Sequence, residues 1–178
     1  MSSSFFSSRP SRFLKLLFRL PGFLYKLHLG WLLGRRFLLV VHRGRKTGRV
    51  HRTVLEVVHY DAYTRESVVV SGWGTRADWY RNIVVSPALE VQTGGRSFVP
   101  EQRVLNADEA AAVLTRFRGD HPREARIFSR MFGVPEEQVG SLAATLPIIS
   151  FRPAPGGTEK IASEAATGGL GFRDQACD

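Results

Sequence analysis

The stretch Arg43-Gly44-Arg45-Lys46-Thr47-Gly48-Arg49 sets four cationic side chains, one hydroxyl and two glycines in seven consecutive positions. These residue types at this spacing suit the binding of an anion. Glycine lets backbone N–H groups turn toward a ligand, and guanidinium and ammonium groups take phosphate or carboxylate oxygens. A solvated basic hairpin turn is the alternative. A nucleoside triphosphate loop is disfavoured, because Arg45 stands where that motif needs glycine directly before Lys46.

A second group of residues begins at Gly72-Trp73-Gly74-Thr75-Arg76-Ala77, which matches the alanine-ending dinucleotide fingerprint, with Glu90 near the distance of a ribose-binding acid. The short helix and the hairpin that follow it do not supply a parallel sheet, so the match reads as a coincidence of glycines. Trp73 between two glycines can still stack on a flat ring. Asp78-Trp79-Tyr80-Arg81-Asn82 comes next. Trp79 is expected to pack this helix onto the domain, while Arg81 and Asn82 lie about one turn beyond Asp78 and can reach the same ligand.

The remaining candidates exclude more than they offer. His28, His42, His51, His59 and His121 lack the spacing and carboxylate company of a zinc hydrolase, so no metal is expected. His51 either adds to the anion site or begins a strand, and Glu56 is either a buried partner for a nearby arginine or faces solvent. No serine sits in a nucleophile elbow and no catalytic dyad is evident, so no residue is assigned as catalytic. An enzyme of this composition takes its chemistry from a cofactor.

The elements that position these residues are mostly strands. Phe37–Val41, residues 52–60 and 67–71 form an antiparallel meander, joined by the cationic turn and the loop Asp61–Glu66. Asp78–Val85 is a short helix stopped by Ser86-Pro87. Leu89–Thr93 and Ser97–Leu105 flank Gly94-Gly95, a pair that suits a tight hairpin turn. Asn106 caps a helix with Glu109 at the capping-box position and Val113, Leu114 and Phe117 on one face. Further helices are expected over Arg123–Phe132, closed by Gly133, and Glu136–Ala144, before a last apolar strand, Leu146–Phe151. Short strands with inserted helices imply a closed or nearly closed antiparallel barrel with peripheral helices.

The 178-residue chain is long enough for one sizeable core, and its 43% hydrophobic content is that of a globular protein. Its net charge of +9 is uneven, since every cation from Arg9 to Arg52 precedes the first acid, Glu56. Nucleic acid, an anionic membrane and a polyanionic small molecule all match that charge. The single cysteine, Cys177, excludes an intrachain disulfide and suits a reducing cytosol. Residues 1–20 form a basic amphipathic segment in which Phe13, Leu14, Leu16, Leu17, Phe18 and Leu20 alternate with Arg12, Lys15 and Arg19. They are too interrupted to span a bilayer and suit peripheral contact with the inner face of the cell membrane. Residues 21–153 form the domain, and residues 154–178 are expected to be a disordered tail.

Taken together, Leu39–Gly48, Arg52–Val57, the segment from Val70 to Ile83 and Pro87–Gly95 resemble the deazaflavin-dependent nitroreductase family over roughly residues 20 to 152. The resemblance implies an α+β, mainly antiparallel fold, a split β-barrel of the FMN- or F420-binding type. It implies an F420-dependent oxidoreductase that passes a hydride from the reduced deazaflavin to a small electron-poor acceptor: a quinone, an enone or a nitro compound. By the same resemblance Arg45, Lys46, Thr47, His51, Arg52 and Thr53 hold the cofactor's anionic tail. Val54, Leu55, Val70, Ser71, Gly72, Trp73 and Gly74 lie near the ring, and Asp78, Trp79, Arg81 and Asn82 close the pocket. The chain departs from the family pattern in having His51 with Arg52 shifted by one, and Val54 where proline is common. FMN is the alternative cofactor. A basic module for a membrane surface or nucleic acid is the non-enzymatic alternative, although it leaves the Gly-Trp-Gly loop unexplained and nucleic acid is not the expected partner. A homodimer is open, because an uncovered barrel face can be buried by a second copy or by the 123–132 helix.

Overall fold

A computed structural model of the chain describes residues 34–157 and 159–161. The expectations for the amphipathic amino-terminal segment and for residues 162–178 fall outside these residues. The strands are β1 (Phe37–Arg43), β2 (Val50–Tyr60), β3 (Ser67–Val70), β4 (Glu90–Thr93), β5 (Arg96–Phe98), β6 (Pro100–Val104), β7 (Ile148–Pro153) and β8 (Glu159–Ile161). The helices are α1 (Asp78–Val85), α2 (Ala107–Asp120) and α3 (Pro122–Phe132), with 3-10 segments at Gly74–Arg76 and Glu136–Ala144.

All strand pairings are antiparallel, in the order β6-β7-β3-β2-β1-β4-β5-β8. The run expected as one strand over Ser97–Leu105 is broken at Val99. There the chain leaves β5, paired with β4, and enters β6, paired with β7 at the far end of the order. One continuous segment thus runs from β5, next to the β8 end of the order, to β6 at the other end, and curls the sheet into a split barrel. The carbonyl of Val99 accepts from Ala154 N at 3.1 Å, so the corner is also tied to the end of β7.

Strand alternation sorts the side chains into two cores. Leu38, Val40, Val69, Val91, Phe98, Ile149 and Phe151 fill the barrel, with Leu55 and Val57 packed against them. Helix α1 adds Trp79 and Ile83 to this cluster. The second core lies on the opposite side of β3 and β7, where Val58, Val68 and Ile148 meet Leu114 and Phe117 of α2, Ala125 of α3 and Val139 and Leu142 of the long 3-10 segment. β7 sits between β3 and β6, and its first four residues are buried on both faces, as expected of a central strand.

Local signals hold the helices where the sequence puts them. Asn106 Oδ1 accepts from Glu109 N at 2.9 Å, and Glu109 Oε2 accepts from Asn106 N at 3.0 Å, completing the capping box. Gly133 ends α3 in the left-handed region at φ 65°, the conformation that favours glycine at this position. The stretch read as a disordered tail contains β8, which pairs with β5 from Arg96 to Phe98. Glu159 of β8 forms ion pairs with both Arg65 and Arg96, an edge stabilisation that composition does not reveal.

Candidate functional site

The cationic turn joins β1 to β2 and is closed by its own backbone. Gly44 N donates to Arg49 O at 2.8 Å and Gly48 N donates to Gly44 O at 2.8 Å. A Cβ on Gly44 would lie 2.8 Å from His51 Nε2, so a side chain there would have to displace the His51 ring. Thr47 Oγ1 accepts from Arg49 N at 3.3 Å, and Arg43 Nη1 donates to Gly48 O at 2.9 Å. Among the described residues Lys46, Arg49 and Arg52 are exposed and form no ion pair.

Arg45 behaves differently from its neighbours. Its backbone N and its Nη1 both donate to Asn82 Oδ1, at 3.1 and 3.0 Å, and its Nη2 donates to Asp78 Oδ1 at 2.9 Å. Two donors on one oxygen fix the orientation of the Asn82 amide, leaving Nδ2 to donate to His42 Nδ1 at 3.2 Å. With its Nδ1 accepting, the neutral His42 ring carries its proton on Nε2, which donates to Thr53 Oγ1 at 3.0 Å. Asp78, Arg45, Asn82, His42 and Thr53 therefore form one chain of hydrogen bonds linking the turn, α1, β1 and β2. The His42 ring stacks on His51 with centroids 5.8 Å apart. Burial, and then the nearby His51, lower the His42 pKa and favour the neutral form. The Asp78 carboxyl is held below its ordinary value by the hydrogen bond from Arg45 and by that guanidinium's charge, with smaller contributions from Arg81 and Lys46.

The expected site residues divide between the two faces of β2. In the β1–β2 register His42 lies opposite His51, Val40 opposite Thr53 and Leu38 opposite Leu55. Since Leu38, Val40 and Leu55 belong to the barrel core, His51, Thr53 and Leu55 share the inward side. Arg52 and Val54 lie on the other side, opposite Val41 and Leu39. Val70 is also outside the barrel, packed against the helical core. Trp79 is 7% exposed and Leu55 is partly buried, both packed in the barrel core. Burial of Trp79 agrees with the packing role read from its helix. Glu56 resolves to the surface alternative, 3.5 Å from Arg36.

The loop after β3 carries the second group. Ser71 is buried and its Oγ donates to Gly74 O at 2.8 Å, while Gly74 N donates to Ser71 O at 2.7 Å. Gly74 adopts φ 61°. This tight loop holds Trp73 outward, 57% exposed. Gly72 lies against Phe132 at the end of α3: a Cβ there would sit 3.5 Å from the Phe132 ring. The dinucleotide reading of the loop fails as expected, because a 3-10 turn and a wholly antiparallel sheet surround it.

The resemblance assigns no role to His42, Arg49 or Phe132, although Arg49 belongs to the cationic stretch. His42 had a readable signal, since alternation from Leu38 and Val40 puts it on the inward face. Phe132 had none, because only tertiary packing carries α3 to the Gly72 loop. Among the described residues no cluster of three or more potential ligands could hold a metal ion, and no helix is long and apolar enough to cross a membrane.

The fold is thus an antiparallel split barrel that carries an exposed cationic turn and an exposed tryptophan between glycines. Residues 28–127 match the family described as F420H(2)-dependent quinone reductase. The chain belongs to this family; it is an F420H2-dependent reductase, and its cofactor is coenzyme F420. Solved structures of similar fold include an F420-H2 dependent reductase, 20% identical, with 67% of this chain and 96% of that one covered and a TM-score of 0.47. A member of the pyridoxinephosphate oxidase family from Clostridium acetobutylicum is 9% identical, with 80% and 96% covered and a TM-score of 0.44. A pyridoxamine 5'-phosphate oxidase-related, FMN-binding protein from Nostoc punctiforme is 14% identical, with 83% and 82% covered and a TM-score of 0.41. None of the curated proteins matches the chain significantly.

Proposed function

We propose that this reductase passes a hydride from reduced F420 to a quinone, with enones and nitro compounds as further acceptors, and that the cofactor lies between the cationic turn and the Trp73 loop. The observation that carries the reading is the exposed set Lys46, Arg49 and Arg52, whose charges are unpaired among the described residues. In this assignment Lys46, Thr47, Arg49 and Arg52 hold the anionic tail, while Val54, Gly72 and Trp73 line the ring. Arg45, Thr53, Asp78 and Asn82 support the turn from behind. Leu55 and Trp79 act through the core that backs the site.

When bound, reduced F420 supplies the hydride. The chain's own residues bind the tail, orient the ring through Trp73 and the close backbone of Gly72 and Gly74, and exclude water on the side walled by Phe132. This division of labour suits the lack of an evident catalytic dyad. Fluorescence titration with F420 and with FMN tests the assignment. Tight F420 binding that Lys46→Glu weakens in a folded protein is the expected result, and unchanged affinity in that variant defeats it.

The same reading places the enzyme in the cytoplasm, with residues 1–20 contacting the inner membrane surface, where a lipid-soluble quinone would be met. Flotation with anionic liposomes should require residues 1–20. A homodimer is part of the reading, checked by sedimentation.

A further inference from the structure

We propose that His42 and Asn82 are positioning residues that set the shape of the cofactor-binding turn, and that Arg45 is a strut in that device rather than a receptor for the anion. The inference deepens the cofactor reading above and rests on it. Neither His42 nor Asn82 has a surface to offer a ligand, being 3% and 5% exposed. Every polar atom of the two side chains is engaged inside the protein.

Asn82 Oδ1 holds Arg45 at two points, the backbone N at 3.1 Å and the guanidinium at 3.0 Å. The backbone bond fixes where the chain enters the turn, and the guanidinium bond, with Asp78 at 2.9 Å, draws the Arg45 side chain onto α1. Arg45 is thereby directed away from the exposed side, while its neighbour Lys46 stays exposed. The amide keeps this geometry only while its Nδ2 has an acceptor, which is His42 Nδ1 at 3.2 Å. His42 in turn is oriented by Thr53 Oγ1 at 3.0 Å and by stacking on His51. A neutral imidazole with its proton on Nε2 meets both demands, accepting at one nitrogen and donating at the other. A buried polar group left without its partner would relax, and the turn would relax with it.

The test measures binding of oxidised F420 to the full chain by cofactor fluorescence, together with steady-state turnover. His42→Phe keeps a ring but removes both hydrogen bonds; it is expected to raise the Kd for F420 about tenfold while kcat at saturating cofactor changes little. His42→Gln retains one acceptor and one donor and should bind within about threefold of wild type. In 15N NMR the wild-type His42 should show a protonated Nε2 and an unprotonated Nδ1 at neutral pH. A folded His42→Phe variant with wild-type affinity overturns the proposal, as does equal weakening by Phe and Gln or the opposite tautomer. Should His42→Phe fail to fold, Thr53→Val, which removes only the far end of the chain of bonds, is expected to weaken F420 binding measurably, and unchanged affinity overturns the proposal. Wild-type protein that does not bind F420 removes the cofactor reading and this one together, whereas wild-type binding with unchanged variants removes this one alone.

Discussion

Two arginines separated by a few residues illustrate how little a charge count says about binding. Arg45 is locked by Asn82 and Asp78, whereas Arg49 is exposed with no ion pair among the described residues. Lys46→Glu should therefore weaken F420 binding through charge alone, leaving thermal stability nearly unchanged, while Arg45→Ala should lower both affinity and melting temperature. Calorimetry beside fluorescence titration separates the two effects. His42 makes a prediction of its own. Its folded pKa lies below the ordinary 6.5, through burial first and the nearby His51 second, so the unfolded chain binds more protons between the two values. The resulting stability is fully present above about pH 6.5 and is lost as pH falls toward the folded pKa. Melting temperature should drop between pH 7.5 and 5.5, and less so in His42→Gln.

Elements form here where local chemistry and tertiary packing agree. The capping box of α2 was legible from Asn106 and Glu109, and both of its hydrogen bonds are present. Arg103 adds an ion pair to Glu109 at 2.7 Å, which holds the carboxyl below its ordinary pKa. Asn106→Ala should cost about 1 kcal/mol in urea unfolding without changing cofactor affinity, because the cap is remote from the turn. The break at Val99 was legible only in part. Pro100, which lacks a ladder donor and follows Val99 directly, marks where the run is interrupted, but no local signal tells that the two halves pair with different strands. The tail posed the same difficulty, since β8 is defined by the free edge of β5 and by Arg65 and Arg96, which lie far away in sequence.

At the scale of the whole molecule, the barrel core backs the elements that carry His42 and Asn82, while the Gly72 loop lies against Phe132 of the helical core. Phe151 is fully buried in β7 and shares its cluster with Leu38 and Val40 of β1 and with Trp79 and Ile83 of α1. Phe151→Ala should cost about 3–5 kcal/mol of stability, and the variant that remains folded should bind F420 more weakly, since the elements carrying His42 and Asn82 pack on that cluster. Denaturant titration and cofactor binding on the same preparation check both parts. Apart from the β5–β6 division and β8, the amino-acid sequence by itself determined the strand and helix segments, and with them the two hairpin turns, the α2 cap and the residue types of the anion site. These follow from short-range rules: alternation, glycine conformations and side-chain capping. Only the tertiary structure decided which side of β2 faces the barrel, that Arg45 is a strut, and that His42 and Asn82 meet. Those outcomes depend on hydrogen bonds and packing between positions tens of residues apart, which no local pattern encodes.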